Sequence, residues 1–216
     1  MALRKVPAGN ALAKPVFYLL AGPNGAGKSS LYRALVKTGT IAAKAEFVNA
    51  DLHEAAHLQH VKDSTARSEQ ARLWADQRRA ELLQKGESFA SETVFSHQSK
   101  ITLIEQAKVQ GFLVLLLVVA LDEPQTLVAR VAQRVKEGGH AVSKARLLAR
   151  YPRTMANLAR AVRIADAALL YDAQEKDGPT QTLVATCKGL QTQVLVSALP
   201  QWAQRVLYPV DPGASA

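Results

Sequence analysis

Eight residues, Gly22-Pro23-Asn24-Gly25-Ala26-Gly27-Lys28-Ser29, carry the clearest chemical signal in this 216-residue chain. They fit G-x-x-x-x-G-K-[ST], in which glycines let the backbone wrap a phosphate with its N–H groups, the lysine reaches the β- and γ-phosphates, and the hydroxyl serves Mg²⁺. An apolar run at 16–21 precedes them and a helix-like run at 28–37 follows. That setting puts a helix N-terminus, with its partial positive charge, behind the phosphates. A turn that merely joined a strand to a helix would have no use for Lys-Ser after its last glycine. The reading is a nucleotide site built from Gly22 through Ser29 with Ser30 beside it, Lys28 on the phosphates and Ser29 on the metal.

Further groups follow at the ends of apolar segments. Phe47-Val48 is a brief strand closing on Asn49 and Asp51, and the segment 88–93 closes on Glu92 and Thr93. Open parallel sheets collect ligands at the carboxyl ends of their strands, the edge that also carries the phosphate loop. Phosphoryl transfer needs a positioned metal-bound nucleotide, a carboxylate near the acceptor hydroxyl, and positive charge over the transferring oxygens. Asp51 is the candidate carboxylate, its structural alternative being a helix cap. Asn49, Glu92 and Thr93 are candidates for the acceptor side; Glu92 could equally hold the metal's water shell or be a surface glutamate. The cations are Arg130 and Arg134, four apart on one helix face, then Arg146, Arg150 and Arg153 beyond Gly138-Gly139. This is the layout of a closing lid at about 136–153 that would lay cations over the transferring oxygens, with an exposed basic hairpin as the alternative. His140 either meets phosphate or substrate or is a loop residue. His53, His57 and His60 share a helix surface without the further ligand a zinc site requires. Leu121-Asp122 reads either as a strand ending in a metal-directed aspartate or, with Glu123-Pro124, as a helix start.

The elements that must position these groups alternate. After the first strand and helix come a short strand near 46–48 and a helix at 64–85 with Ala66, Leu73, Trp74, Ala80, Leu82 and Leu83 as its apolar stripe. A third strand ends at Thr93, and a helix at 97–110 is capped by Ser96 and stopped by Gly111. The run 112–121 suits a central strand buried on both faces. Pro124 opens a helix; Ser143 caps another that bends at Pro152 before a further helix at 153–164. Strands at 167–171 and 182–187 follow, the segment 191–202 has no clear type, and 209–216 is expected to be a disordered tail. The expected fold is α/β, a parallel sheet flanked by helices on both faces with a small helical lid, in one domain over 1–208. A single cysteine, Cys187, excludes an intramolecular disulfide framework and agrees with a reducing compartment. The longest apolar run is about half of a membrane span, and no signal peptide is indicated, so a cytoplasmic protein without membrane contact is expected. The net charge of +9 is dispersed, which favours anionic ligands over a nucleic-acid arm, and the absence of an N-K-x-D motif argues against a small GTPase.

The chain resembles the zeta-toxin family of P-loop kinases, in particular its short bacterial members, over about 16–172. The likeness rests on AGPNGAGKSS at 21–30, FVNAD at 47–51, SFASETVFS at 88–96, a GF-plus-apolar strand from Gly111, and RVAQRVKEGGHAV with ARYPRTMANL through Leu158. It implies an ATP-dependent, Mg²⁺-assisted kinase of a UDP-activated N-acetylated amino sugar, and a small antitoxin protein as partner. By position it assigns Lys28 and Ser29 to ATP and Mg²⁺, Asp51 to the catalytic base, Glu92 and Thr93 to the substrate, and Arg134 to the lid, with the second lid arginine open between Arg150 and Arg153. Alternatives are a kinase of another hydroxyl (nucleoside, NAD or nucleic-acid end) and a nucleotide-dependent switch or nucleic-acid-binding ATPase.

Overall fold

A computed structural model describes residues 14–137, 142–174, 181–189 and 191–209. Gly138, Gly139 and His140, and the tail beyond Pro209, lie outside these described residues.

The fold is built on β4 (Leu113–Ala120), whose sequence LVLLLVVA has no polar residue to send to solvent. It therefore sits mid-sheet with both faces covered, and Leu116 to Ala120 are fully buried. On one side it pairs in parallel with β1 (Val16–Ala21), and on the other with β5 (Ala167–Asp172). Beyond β1 lie β3 (Phe89–Thr93) and β2 (Glu46–Val48), also parallel. The sheet departs from the all-parallel expectation at its far side. There β6 (Thr182–Lys188) runs antiparallel to β5, and β7 (Gln191–Val194) runs antiparallel to β6, giving the order β2-β3-β1-β4-β5-β6-β7. The untyped segment 191–202 thus holds an edge strand, and then starts the short helix α7 (Gln201–Leu207).

Helices cover both faces: α1 (Lys28–Lys37), α2 (Ala50–His57), α3 (Ser64–Lys85), α4 (Ser99–Val109), α5 (Pro124–Lys136) and α6 (Lys144–Ile164). Several details depart from expectation. The apolar stripe of α3 is Ala71, Ala75, Leu82 and Leu83 with Arg79 among them, while Leu73 and Ala80 face solvent. Ser96 does not cap α4. Phe95 takes a left-handed backbone (φ 64°), the helix starts only at Ser99, and the His97 ring accepts the Ser99 N–H at 3.2 Å. Pro152 does not divide the last long helix. It lies exposed inside a continuous α6, because buried neighbours on either side, Leu147, Tyr151, Thr154 and Leu158, hold that helix on the core and outweigh the lost backbone hydrogen bond. Of the stretch expected as a lid, 136–153, residues 136 and 137 end α5, 138–141 lie outside the described residues, and most of the rest forms the first turns of α6. Asp122 stands at a helix start, as Pro124 opens α5 two residues on, and its carboxylate accepts the backbone N–H groups of Gln201 (3.1 Å) and Trp202, and so caps α7. Ser143 does cap α6, accepting the Arg146 N–H.

Charges tie the left half of the sheet together. Arg78 donates to both Glu46 oxygens at 2.8 and 2.7 Å, joining α3 to β2. Arg79, 5% exposed, donates to Ser91 of β3, and Ser91 donates to the Val48 carbonyl of β2. Asp76 accepts from Arg79 and, at 3.2 Å, from Lys100 of α4; burial opposes its ionisation, but the two cations outweigh that and hold its carboxyl below the usual range. Glu54 of α2 is buried against Arg67 and Ser68 of α3 (3.0 and 3.1 Å), and His53 stacks on Trp74 with ring centroids 3.8 Å apart. These contacts seat α2 on α3. Among the described residues no helix is long and apolar enough to cross a membrane.

Gly22 leaves β1 against its neighbour strand, with φ 149°, and a β-carbon there would lie 1.9 Å from the Val119 carbonyl oxygen. Gly86, at the end of α3, has φ 66° and open space around it. Gly86→Ala should therefore lose only the ~1–2 kcal/mol of a left-handed alanine, whereas Gly22→Ala should lose ~4 kcal/mol or more or fail to fold. Thermal and urea unfolding of the two variants checks the contrast.

Candidate active site

The phosphate loop is shaped by backbone that only glycine adopts cheaply. Gly27 (φ 92°) precedes α1 as its N-terminal flanking residue, so the first amides of α1 face the loop without a side-chain cap. The loop is anchored at its start, where Gly22 N–H donates to the Thr93 carbonyl at 3.3 Å, and within, where Ala26 N–H donates to the Pro23 carbonyl. Lys28, 5% exposed, donates its ammonium to the Pro23 carbonyl at 3.0 Å. Asn24 buries its side-chain oxygen without a hydrogen-bond partner among the described residues. Gln181 donates to the Gly27 carbonyl at 3.2 Å, a contact from a segment with no motif to announce it.

Glu92 is where the site converges. Its carboxylate lies 3.5 Å from the Lys28 ammonium, accepts the Ser29 hydroxyl at 2.7 Å and accepts the Asn49 amide at 3.0 Å. Three successive strand ends supply these groups. β1 runs into Lys28 and Ser29, β2 into Asn49, and β3 itself carries Glu92; the order β2-β3-β1 puts Glu92 in the middle. Asn49 does a second job, its side-chain oxygen accepting the Leu52 N–H as the cap of α2. Asp51 stands in the first turn of that helix, exposed, and its carboxylate makes no hydrogen bond to the described residues. The cap role belongs to Asn49, and Asp51 is left available.

Thr93 is not joined to this group by its hydroxyl. Thr93 Oγ1 accepts the Phe95 N–H at 3.3 Å and so braces the turn after β3. The arginines divide. Arg130 is committed to the Ala173 carbonyl at 2.7 Å, tying α5 to the end of β5, and Arg134 is half-buried one turn on. Arg146, Arg150 and Arg153 share a stretch of α6 and make no salt bridge to the described residues. Arg150 has its proton affinity lowered by burial first and by Arg146 and Arg153 next. Three cations placed so close together without carboxylates form a surface suited to an anion.

Solved structures with this fold include a chain of the AvrRxo1-ORF1:ORF2 complex crystallised with ATP (20% identity, TM-score 0.63, 84% of this chain and 60% of that one). A second is from the PezAT chromosomal toxin–antitoxin system of Streptococcus pneumoniae (18%, TM-score 0.57, 79% and 70%), and a third is a putative kinase from Chloroflexus aurantiacus (20%, TM-score 0.52, 65% and 80%). The present chain spans about three-fifths of the AvrRxo1 complex chain. No curated protein matches it in sequence. The family model described as zeta toxin matches residues 3–177, a stretch that takes in the phosphate loop, Asp51, Glu92 and the arginines of α5 and α6; the chain belongs to the zeta toxin family and has a P-loop kinase fold.

Proposed function

We propose that this protein is an ATP-dependent phosphotransferase that moves the γ-phosphate of ATP to a hydroxyl of a small, nucleotide-linked acceptor, a UDP-N-acetylated amino sugar foremost. The observation that carries the reading is the convergence of Lys28, Ser29 and Asn49 on Glu92, with the unengaged carboxylate of Asp51 on the helix that Asn49 caps. Family membership and the ATP complex of a structural relative support the donor.

In this reading the amides of Gly25 to Ser29 and the Lys28 ammonium take the β- and γ-phosphates. The Ser29 hydroxyl and Glu92 carboxylate, 2.7 Å apart, form an all-oxygen pair of the kind Mg²⁺ prefers, and they would hold it. When bound, Mg²⁺ supplies positive charge to the phosphate oxygens. Asp51 accepts the proton of the acceptor hydroxyl as that oxygen bonds to the γ-phosphorus and the bond to the β-phosphate oxygen breaks, releasing ADP. Arg134 and Arg150 are assigned to the charge on the transferring oxygens, and Arg153, Asn49 and Thr93 to the acceptor. A small antitoxin partner belongs to the same proposal, supported by the relative that comes from a toxin–antitoxin system. A cytoplasmic place, where ATP and nucleotide sugars are available, belongs to the same proposal.

Asp51→Ala should lower turnover by about 10²–10⁴-fold, the range for a lost general base, and leave ATP affinity within about twofold; full turnover in that variant would refute the assignment. Lys28→Ala should weaken ATP binding about tenfold or more, as expected for a lost charge-assisted contact, and slow transfer as well. The acceptor is decided by incubating the protein with γ-labelled ATP and a panel of UDP-sugars, nucleosides, NAD and oligonucleotides. Label on a UDP-N-acetylated amino sugar is the expected result. Label on none of them, with ATP hydrolysis stimulated by oligonucleotide, would replace the kinase with a nucleic-acid-dependent ATPase.

A further inference from the structure

The turn that follows β3 is held by a helix that has no motif in common with the phosphate loop. Thr154 of α6, fully buried, donates its hydroxyl to the Val94 carbonyl at 3.1 Å. One turn further along the same helix, Asn157 donates its amide to the Phe95 carbonyl at 3.0 Å. Phe95 is buried at φ 64°, a left-handed backbone that a residue with a β-carbon adopts only under strain. Such a conformation persists where its surroundings over-determine it. Here they do so from three directions: Thr154 and Asn157 hold the two carbonyls, and Thr93 Oγ1 takes the Phe95 N–H. The residue thus braced is Thr93, whose own carbonyl receives Gly22 N–H, the first amide of the phosphate loop. Glu92 is the residue before it.

We infer that Thr154 and Asn157 are positioning residues of the nucleotide site. They act through the strained Val94-Phe95 turn to set both the Glu92 carboxylate and the start of the phosphate loop, and through α6 they join that loop to the arginine face of Arg146, Arg150 and Arg153. Neither residue touches the site itself. A turn free to relax would carry Thr93 away from Gly22 and Glu92 away from Ser29, so the helix that presents the arginines also fixes the groups that receive the nucleotide. The inference rests on the proposed nucleotide site, and its first readout needs neither an acceptor nor turnover.

The test compares Asn157→Ala and Thr154→Val with Arg160→Ala, which removes a contact of the same helix to Gln98 at the surface. Amide hydrogen exchange in the ligand-free protein should accelerate about tenfold over residues 22–29 and 92–95 in the first two variants and stay unchanged there in the third, since local opening is read residue by residue. Binding of a fluorescent ATP analogue with Mg²⁺ should weaken about three- to tenfold in the same two variants, the share of one or two net hydrogen bonds. Thr154→Val conserves volume and Asn157 is only half-buried, so if either variant unfolds the other still decides. Unchanged exchange over 22–29, or acceleration confined to α6 itself, overturns the inference. A protein that labels no acceptor yet shows the accelerated loop would lose the proposed reaction and keep this one.

Discussion

The Glu92 carboxylate is 14% exposed and is shared among an ammonium, a hydroxyl and a carboxamide. Taking a carboxylate this far out of water costs several kcal/mol unless opposite charge and hydrogen bonds replace the lost solvent. The three partners come from the ends of three strands, and they meet only if β3 lies between β1 and β2. The strand order is thereby coupled to the site: a β3 displaced to another place in the sheet would bury the same glutamate without its lysine. Much of the left side of the sheet serves that placement. Arg78 on Glu46, Arg79 on Ser91 and Ser91 on Val48 fix β2 and β3 to α3, and Glu54 with its two partners fixes α2 beside them.

Charge on this protein separates into groups that are spent and groups that are not. Arg78, Arg79, Lys100 and Arg67 each face a carboxylate, and Arg130 is taken up by a backbone carbonyl. Exposed pairs such as Arg72 with Glu69 are screened by water and contribute little, so they say more about solubility than about the site. Arg146, Arg150 and Arg153 are different. They repel one another, and burial works against the charge on Arg150. Such a cluster is suited to an anion, and the proposed function gives it the negative charge of a phosphate.

How much of this was legible in the sequence depends on how far apart the interacting residues lie. The phosphate loop, the bounds of β1 and α1, the central place of β4 and the cap at Ser143 are local: glycine, proline, a short polar side chain or an unbroken apolar run decides each one. The turn of β6 against β5 was not legible, because an apolar strand carries no mark of its direction. Pro152 and Ser96 were read by local rules that tertiary contacts overruled, the first through buried residues on both sides and the second through the left-handed Phe95. Asp122 was read beside its neighbours, but its partners are the amides of Gln201 and Trp202, about eighty residues on. The partners of Glu92 are likewise distant, 63 residues to Ser29 and 43 to Asn49. Sequence brought each to the sheet edge but not to one another.

Distance in sequence also explains why α6 serves two ends. Its second half is core, with Leu158 and Ala161 fully buried, and its first half is pinned by Tyr151 donating to the Leu121 carbonyl at 2.7 Å. Burial pushes the Tyr151 hydroxyl up to about 12, so that donor stays protonated across the physiological range. A helix fixed at Leu121, Val94 and Phe95 has little freedom to swing as a unit. The arginines it carries are therefore placed by the same contacts that brace the turn after β3. Pre-placed cations lose less conformational freedom when an anion arrives than cations on a loose segment do, so under the proposed function that saving would appear as affinity for the charged ligand.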